Sequence, residues 1–172
     1  MVDRRMYDPY VETMRREELE ALQLKKLKET LQRVYEKVPF YYRRFKEAGV
    51  RPNDIRTLND VVKLPFTTKD DLRQNYPYGF AAVPLSEIVE IHASSGTTGV
   101  PTIALYSQND IQVWAEAMAR CLTMSGLTRE DVFQITPSFG MFVGGFGFFH
   151  GAMRIGATIV PTGAGYSKRQ IQ

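Results

Sequence analysis

Between His92 and Thr102 the chain reads HASSGTTGVPT, with four hydroxyl side chains and two glycines in the six positions from Ser94 to Gly99. Glycine tolerates positive φ, so such a run can turn backbone N–H groups toward an anion, while short hydroxyls donate without blocking its approach. That is phosphate-binding chemistry. The same residue types also make a tight hairpin turn, and the run by itself fits both readings. It is not the phosphate loop of nucleoside triphosphatases, which needs Gly-Lys followed by Ser or Thr and then a helix; here Gly99 is followed by Val-Pro-Thr and a strand-like run. His92, His150 and the single cysteine, Cys121, stand far apart in the sequence. Structural zinc takes four clustered ligands, so no metal site is expected.

The flanks must position this loop. EIVEIHA before it is a short β-branched run and TIALYS after it a second one, which predicts a strand, turn, strand unit from Glu87 onward. In QNDIQVWAEAMARCLTMSG, the residues Ile111, Trp114, Ala115, Met118 and Leu122 recur at helical spacing and Gly126 supplies the stop, so a helix is predicted over about 108–125. DVFQITP, MFVGGFGFFHGAMRIG and ATIVPTG then read as strand, helix and strand. That βαβ spacing predicts a mostly parallel sheet covered by helices.

Upstream, Leu24, Leu27, Leu31, Val34 and Val38 form one apolar stripe on a helix predicted over about 15–38, which Pro39 ends. Phe40, Tyr41, Tyr42 and Phe45 follow as an aromatic knot before a turn at Gly49, and Thr67 or Thr68 can cap a short helix beginning near Lys69. The expected fold class is α/β, an N-terminal helical layer over residues 1–75 followed by βαβ units of a mostly parallel sheet over 76–172.

Composition narrows the function. A chain of 172 residues, 44% hydrophobic, can build a core. Thirty of its 41 charged residues lie in the first 75 positions, with both signs interleaved, and the net charge is only +3. No basic stripe marks a nucleic-acid partner. No apolar stretch reaches the roughly 20 residues of a membrane-spanning helix, and the first residues carry no signal-peptide pattern, so a reducing cytoplasm is the expected location.

SSGTTGVPT resembles the phosphate-loop signature of the adenylate-forming enzymes. The likeness extends through VPFYYRRFKEAGV, LPFTTKDDLRQNYPYGFAAVP, IHASSGTTGVPT and FGMFVGGFGFFHGAMRIGATIVP, four separated motifs that together resemble the phenylacetate–CoA ligase family over nearly the whole chain. The resemblance implies ATP-dependent activation of an aryl-acetate-like carboxylic acid to an acyl-adenylate, with Mg²⁺, and transfer to coenzyme A. It further implies that Ser94, Ser95, Gly96, Thr97, Thr98 and Gly99 grip the ATP phosphates. Phe139 and Phe142, beside a Gly-Gly pair, would line the acid pocket; core packing is the other reading of both rings. There are two departures from the pattern. Val100 and Thr102 stand where many relatives carry a lysine, and Pro137 stands where phenylacetate–CoA ligases tend to show an aromatic. The motifs for adenine, ribose, the hinge and the C-terminal lysine are expected to lie outside these residues, leaving the chain alone inactive. A non-catalytic dimerisation module is the alternative, and self-association is expected of a sheet with an unpaired edge.

Overall fold

The computed structural model describes residues 5–94, 99–165 and 167–171. After a single turn, α1 (Pro9–Glu12), the helix α2 (Arg16–Lys37) runs up to Pro39, which opens α3 (Pro39–Glu47). The predicted stripe faces inward: Leu31 and Val38 are buried, and Leu24, Leu27 and Val34 are half-buried. Leu31, Phe45 and Ile55 form a core cluster joined by Leu27, Tyr35, Tyr41, Val50 and Leu64. Gly49, at φ +65°, turns the chain out of α3, a conformation that residues bearing a Cβ adopt rarely. Phe80, beyond the short helix α4 (Lys69–Gln74), closes over this cluster, with its ring centroid 4.9 Å from that of Phe40 and 5.6 Å from that of Tyr41.

Two strands follow, β1 (Ile88–Ala93) and β2 (Ile103–Ser107), then the long helix α5 (Gln108–Met124). β3 (Val132–Gln134), α6 (Val143–Ile155), β4 (Thr158–Val160) and the short α7 (Ser167–Ile171) complete the order. The α/β class agrees with expectation, and the arrangement of the strands is more divided than the spacing predicts. Among the described residues there are two two-stranded sheets, β1 with β2 antiparallel and β3 with β4 parallel. The cause is connection length: the run from β1 to β2 is too short for a crossover, whereas α6 supplies one between β3 and β4. Ile135, 1% exposed, extends the parallel pair by donating its N–H to the Val160 carbonyl at 2.9 Å.

Helices α5 and α6 pack closely because α6 presents glycine at the contact. A Cβ on Gly147 would stand 3.0 Å from the Trp114 ring, and one on Gly151 would stand 2.6 Å from Met118 Cβ. Arg154 on α6 reaches back to α5, donating to Gln112 Oε1 at 3.0 Å and pairing with Glu116 at 3.5 Å.

A Ser or Thr three residues before an Asp recurs at the starts of these elements. Thr68 with Asp71 and Ser107 with Asp110 form reciprocal capping boxes on α4 and α5. In the turn before β3, the Thr128 N–H and hydroxyl both donate to Asp131 Oδ2, at 2.7 and 2.8 Å. Hydrogen bonds of this kind lower the pKa of Asp131, through the Thr128 hydroxyl first, and of Asp71, through the Thr68 backbone N–H first. Asp60 is lowered chiefly by Lys63. A carboxylate whose folded pKa is depressed adds stability that is complete above its ordinary pKa of 3.8 and is lost as pH falls through the lowered value. Thr128→Val should therefore lose less stability than the parent when urea denaturation is compared between about pH 5 and about pH 3. An unchanged or steeper acid dependence would contradict this account of Asp131.

Candidate functional site

The hydroxyl-rich loop springs from the end of β1 and returns into β2. Its base is closed by two hydrogen bonds: the Ser94 N–H donates to the Thr102 carbonyl at 3.0 Å, and the Thr102 N–H donates to Ser94 Oγ at 3.0 Å. Ser94 thus accepts across the mouth of the loop and keeps its own hydroxyl proton to give. Gly99 has φ +120°, a backbone conformation that residues bearing a Cβ adopt rarely. Ser95, Gly96, Thr97 and Thr98 lie outside the described residues.

The aromatic segment before α6 comes to the same place. The Met141 carbonyl accepts the Ala93 N–H at 2.9 Å, which ties residues 139–142 to the last residue of β1. The two candidate phenylalanines then differ. Phe139 is half-buried, its ring 5.5 Å from Phe146 and 6.3 Å from Phe149 in edge-on contacts, so it is built into the packing of α6. Phe142 sits at the N-cap of α6 and is 50% exposed.

A polar cluster beneath the strand went unrecognised in the sequence. Glu90 places Oε2 3.0 Å from His92 Nε2 and Oε1 2.8 Å from His150 Nε2. Strand alternation carried half of the signal, since Glu90 and His92, two residues apart on β1, share a face. The partnership with His150 on α6 is a tertiary fact. Beside the cluster, Tyr106 stacks on Trp114 with centroids 5.0 Å apart. Burial first, then the nearby Asp110 and Glu90 carboxylates, push its hydroxyl pKa up. A cavity of about 350 Å³ opens next to Glu90, lined also by Val89, Ile111, His150, Met153 and Arg154. No group of three or more His, Cys, Asp or Glu side chains among the described residues is arranged to hold a metal ion. No helix among them is long and apolar enough to cross a membrane.

Comparison with known proteins places these features in a family. No family model matches the chain. The phenylacetate–coenzyme A ligase of Escherichia coli (strain K12) is 48% identical over 172 residues, which is 100% of this chain and 39% of that protein. The phenylacetate–coenzyme A ligase of Thermus thermophilus is 46% identical over 166 residues, 96% of this chain and 37% of that protein. The chain belongs to the phenylacetate–CoA ligase family. It matches that family's N-terminal portion and spans 37–39% of the length of the curated relatives it matches. The adenylate-forming architecture agrees. A crystal structure of 2-hydroxyisobutyryl-CoA ligase with 2-HIB-AMP and CoA in the thioesterification state superposes with a TM-score of 0.92 at 34% identity, covering 100% of this chain and 38% of that one. The same ligase in the postadenylation state gives a TM-score of 0.91 at 32% identity.

Proposed function

We propose that this chain supplies the phosphate loop and part of the acid-binding surface of a cytoplasmic aryl-acid–coenzyme A ligase. In the first step a carboxylate oxygen of the acid attacks the α-phosphorus of ATP and pyrophosphate leaves, giving an acyl-adenylate. In the second the coenzyme A sulfur attacks the acyl carbon and AMP leaves, giving the thioester. The substrate's own carboxylate is the first nucleophile, so no loop hydroxyl needs activation. Ser94, Ser95, Gly96, Thr97, Thr98 and Gly99 would serve as fixed donors toward charge that grows on the phosphates. Because Val100 stands where a cation would, those donors act on the pyrophosphate without a loop lysine. The described residues form no cluster for Mg²⁺, which would arrive with ATP and offset the charge of its phosphates.

The observation that carries this reading is the bond from Ala93 N–H to the Met141 carbonyl, which sets the segment bearing Phe142 against the strand that leads into the loop. In that position the exposed Phe142 ring would meet an aryl group, and Phe139 would back it from the core side. The division into a helical segment over 1–75 and an ATP- and acid-binding part over 76–172 belongs to the same proposal, as does a homodimer. The test is acid-dependent ATP–pyrophosphate exchange by the protein as its own gene encodes it, across a panel of aryl-acetic, benzoic and short aliphatic acids. Exchange with aryl-acetic acids well above the others is expected. Exchange with none of the acids would overturn the reading.

A further inference from the structure

His92 is 4% exposed, and the rings of Tyr106, Trp114 and Phe146 stand around it with centroids 5.5, 5.5 and 5.3 Å away. An aliphatic side chain would fill that aromatic box without the desolvation cost of a polar ring. What histidine adds is two directed nitrogen atoms. Nε2 lies 3.0 Å from Glu90 Oε2, and Nδ1 lies 3.3 Å from the Met141 carbonyl oxygen, the same oxygen that accepts the Ala93 N–H. Both partners of the ring are acceptors, so the ring donates to both at once when both its nitrogens carry a proton, and His150 Nε2 on α6 stands 2.8 Å from the second oxygen of Glu90. The imidazole therefore stands as a strut between a carboxylate that lies against His150 of α6 and the carbonyl that immediately precedes Phe142. Ser94, where the hydroxyl loop begins, is only two residues further along the chain, just past the end of the same strand.

We propose that His92, held by Glu90, is a positioning residue that fixes the Phe139–Phe142 segment relative to the entry of the Ser94–Gly99 loop. This rests on the adenylation reading, in which those two segments hold the two reactants. Attack on phosphorus requires the reacting atoms to stand about 3–3.5 Å apart, so a displaced acid segment costs rate even when both substrates still bind.

Asparagine at position 92 keeps a donor near the place of Nδ1 and cannot reach Glu90, whereas leucine keeps bulk and neither bond. In the protein as its own gene encodes it, His92→Leu should lower kcat/KM for the acid in ATP–pyrophosphate exchange about tenfold or more, leaving KM for ATP within about twofold. His92→Asn should return to within about threefold of the parent. Both variants lose the Glu90 bond, and a rate difference between them that does not follow their melting temperatures reports position. A second readout is hydrogen exchange of the Ala93 amide, faster in His92→Leu and restored in His92→Asn. If either readout fails to separate leucine from asparagine, the positioning role is overturned. If the parent shows no acid-dependent exchange, the adenylation reading falls, and failure of asparagine to restore Ala93 protection would overturn the strut as well.

Discussion

Gly151→Ala is expected to lower the stability of the protein by about 2 kcal/mol or more, although alanine is the better helix former by about 1 kcal/mol. The added Cβ would stand 2.6 Å from Met118 Cβ, 2.9 Å from the Met118 carbonyl carbon and 3.1 Å from Leu122 Cδ1. One of these is backbone, which cannot swing aside, so α5 and α6 must separate and lose contact along their length. Gly144, near the start of the same helix, provides the control. There a Cβ would meet only Pro137 Cβ at 4.0 Å, so Gly144→Ala should leave stability unchanged or raise it by up to about 1 kcal/mol. Urea denaturation of the two variants should give shifts of opposite sign, or at least one large loss against none. A neutral Gly151→Ala would mean that the helices do not pack as described.

The second large effect concerns the loop. If the loop holds phosphate as proposed, Gly96→Val should reduce acid-dependent ATP–pyrophosphate exchange by about a hundredfold or more, because a β-branched side chain restricts the backbone and would take up space an anion needs. Thr97→Ala removes one donor. A hydrogen bond to a charged group is worth about 1.5–3 kcal/mol, so the loss should be about ten- to a hundredfold if that bond strengthens toward the transition state. The hairpin reading of the same residues expects something else. For a plain turn, Thr97→Ala would leave turnover within about twofold, and Gly96→Val would act through the melting temperature alone. Rate and melting temperature measured together separate the two, and normal kinetics in a well-folded Gly96→Val protein would end the phosphate-loop assignment.

What could be read from the residues was local. The apolar stripe from Leu24 to Val38 located α2 (Arg16–Lys37), and Thr68 before Lys69 located the start of α4, because spacing and capping are set within a few residues. β1 and β2 appeared where β-branched runs flank the loop. The sheets were less legible: period and composition mark strands, while pairing depends on partners far away in the chain, so one mostly parallel sheet was expected where the described residues form an antiparallel and a parallel pair. At the site, Ser94 and Phe142 stood out by residue type. Phe139 did not declare that its ring would lie against Phe146 and Phe149, nor could His92 announce that its partners were Glu90 and the Met141 carbonyl, or Glu90 that it would also meet His150. Those contacts join β1 to α6 and its preceding loop, and nothing in either stretch alone encodes the meeting.

The core cluster of Leu31, Phe45 and Ile55, with Leu27, Tyr35, Tyr41, Val50 and Leu64, draws every member from one short, continuous stretch of chain. On a ribosome, where the N-terminal end emerges first, that stretch can close its contacts while the strands are still being synthesised. Contacts between near neighbours in sequence also form fastest, since little loop entropy is lost in making them. The β1–α6 junction that carries the candidate site waits for residues 141–150, and so is expected to assemble late, onto a helical base already in place.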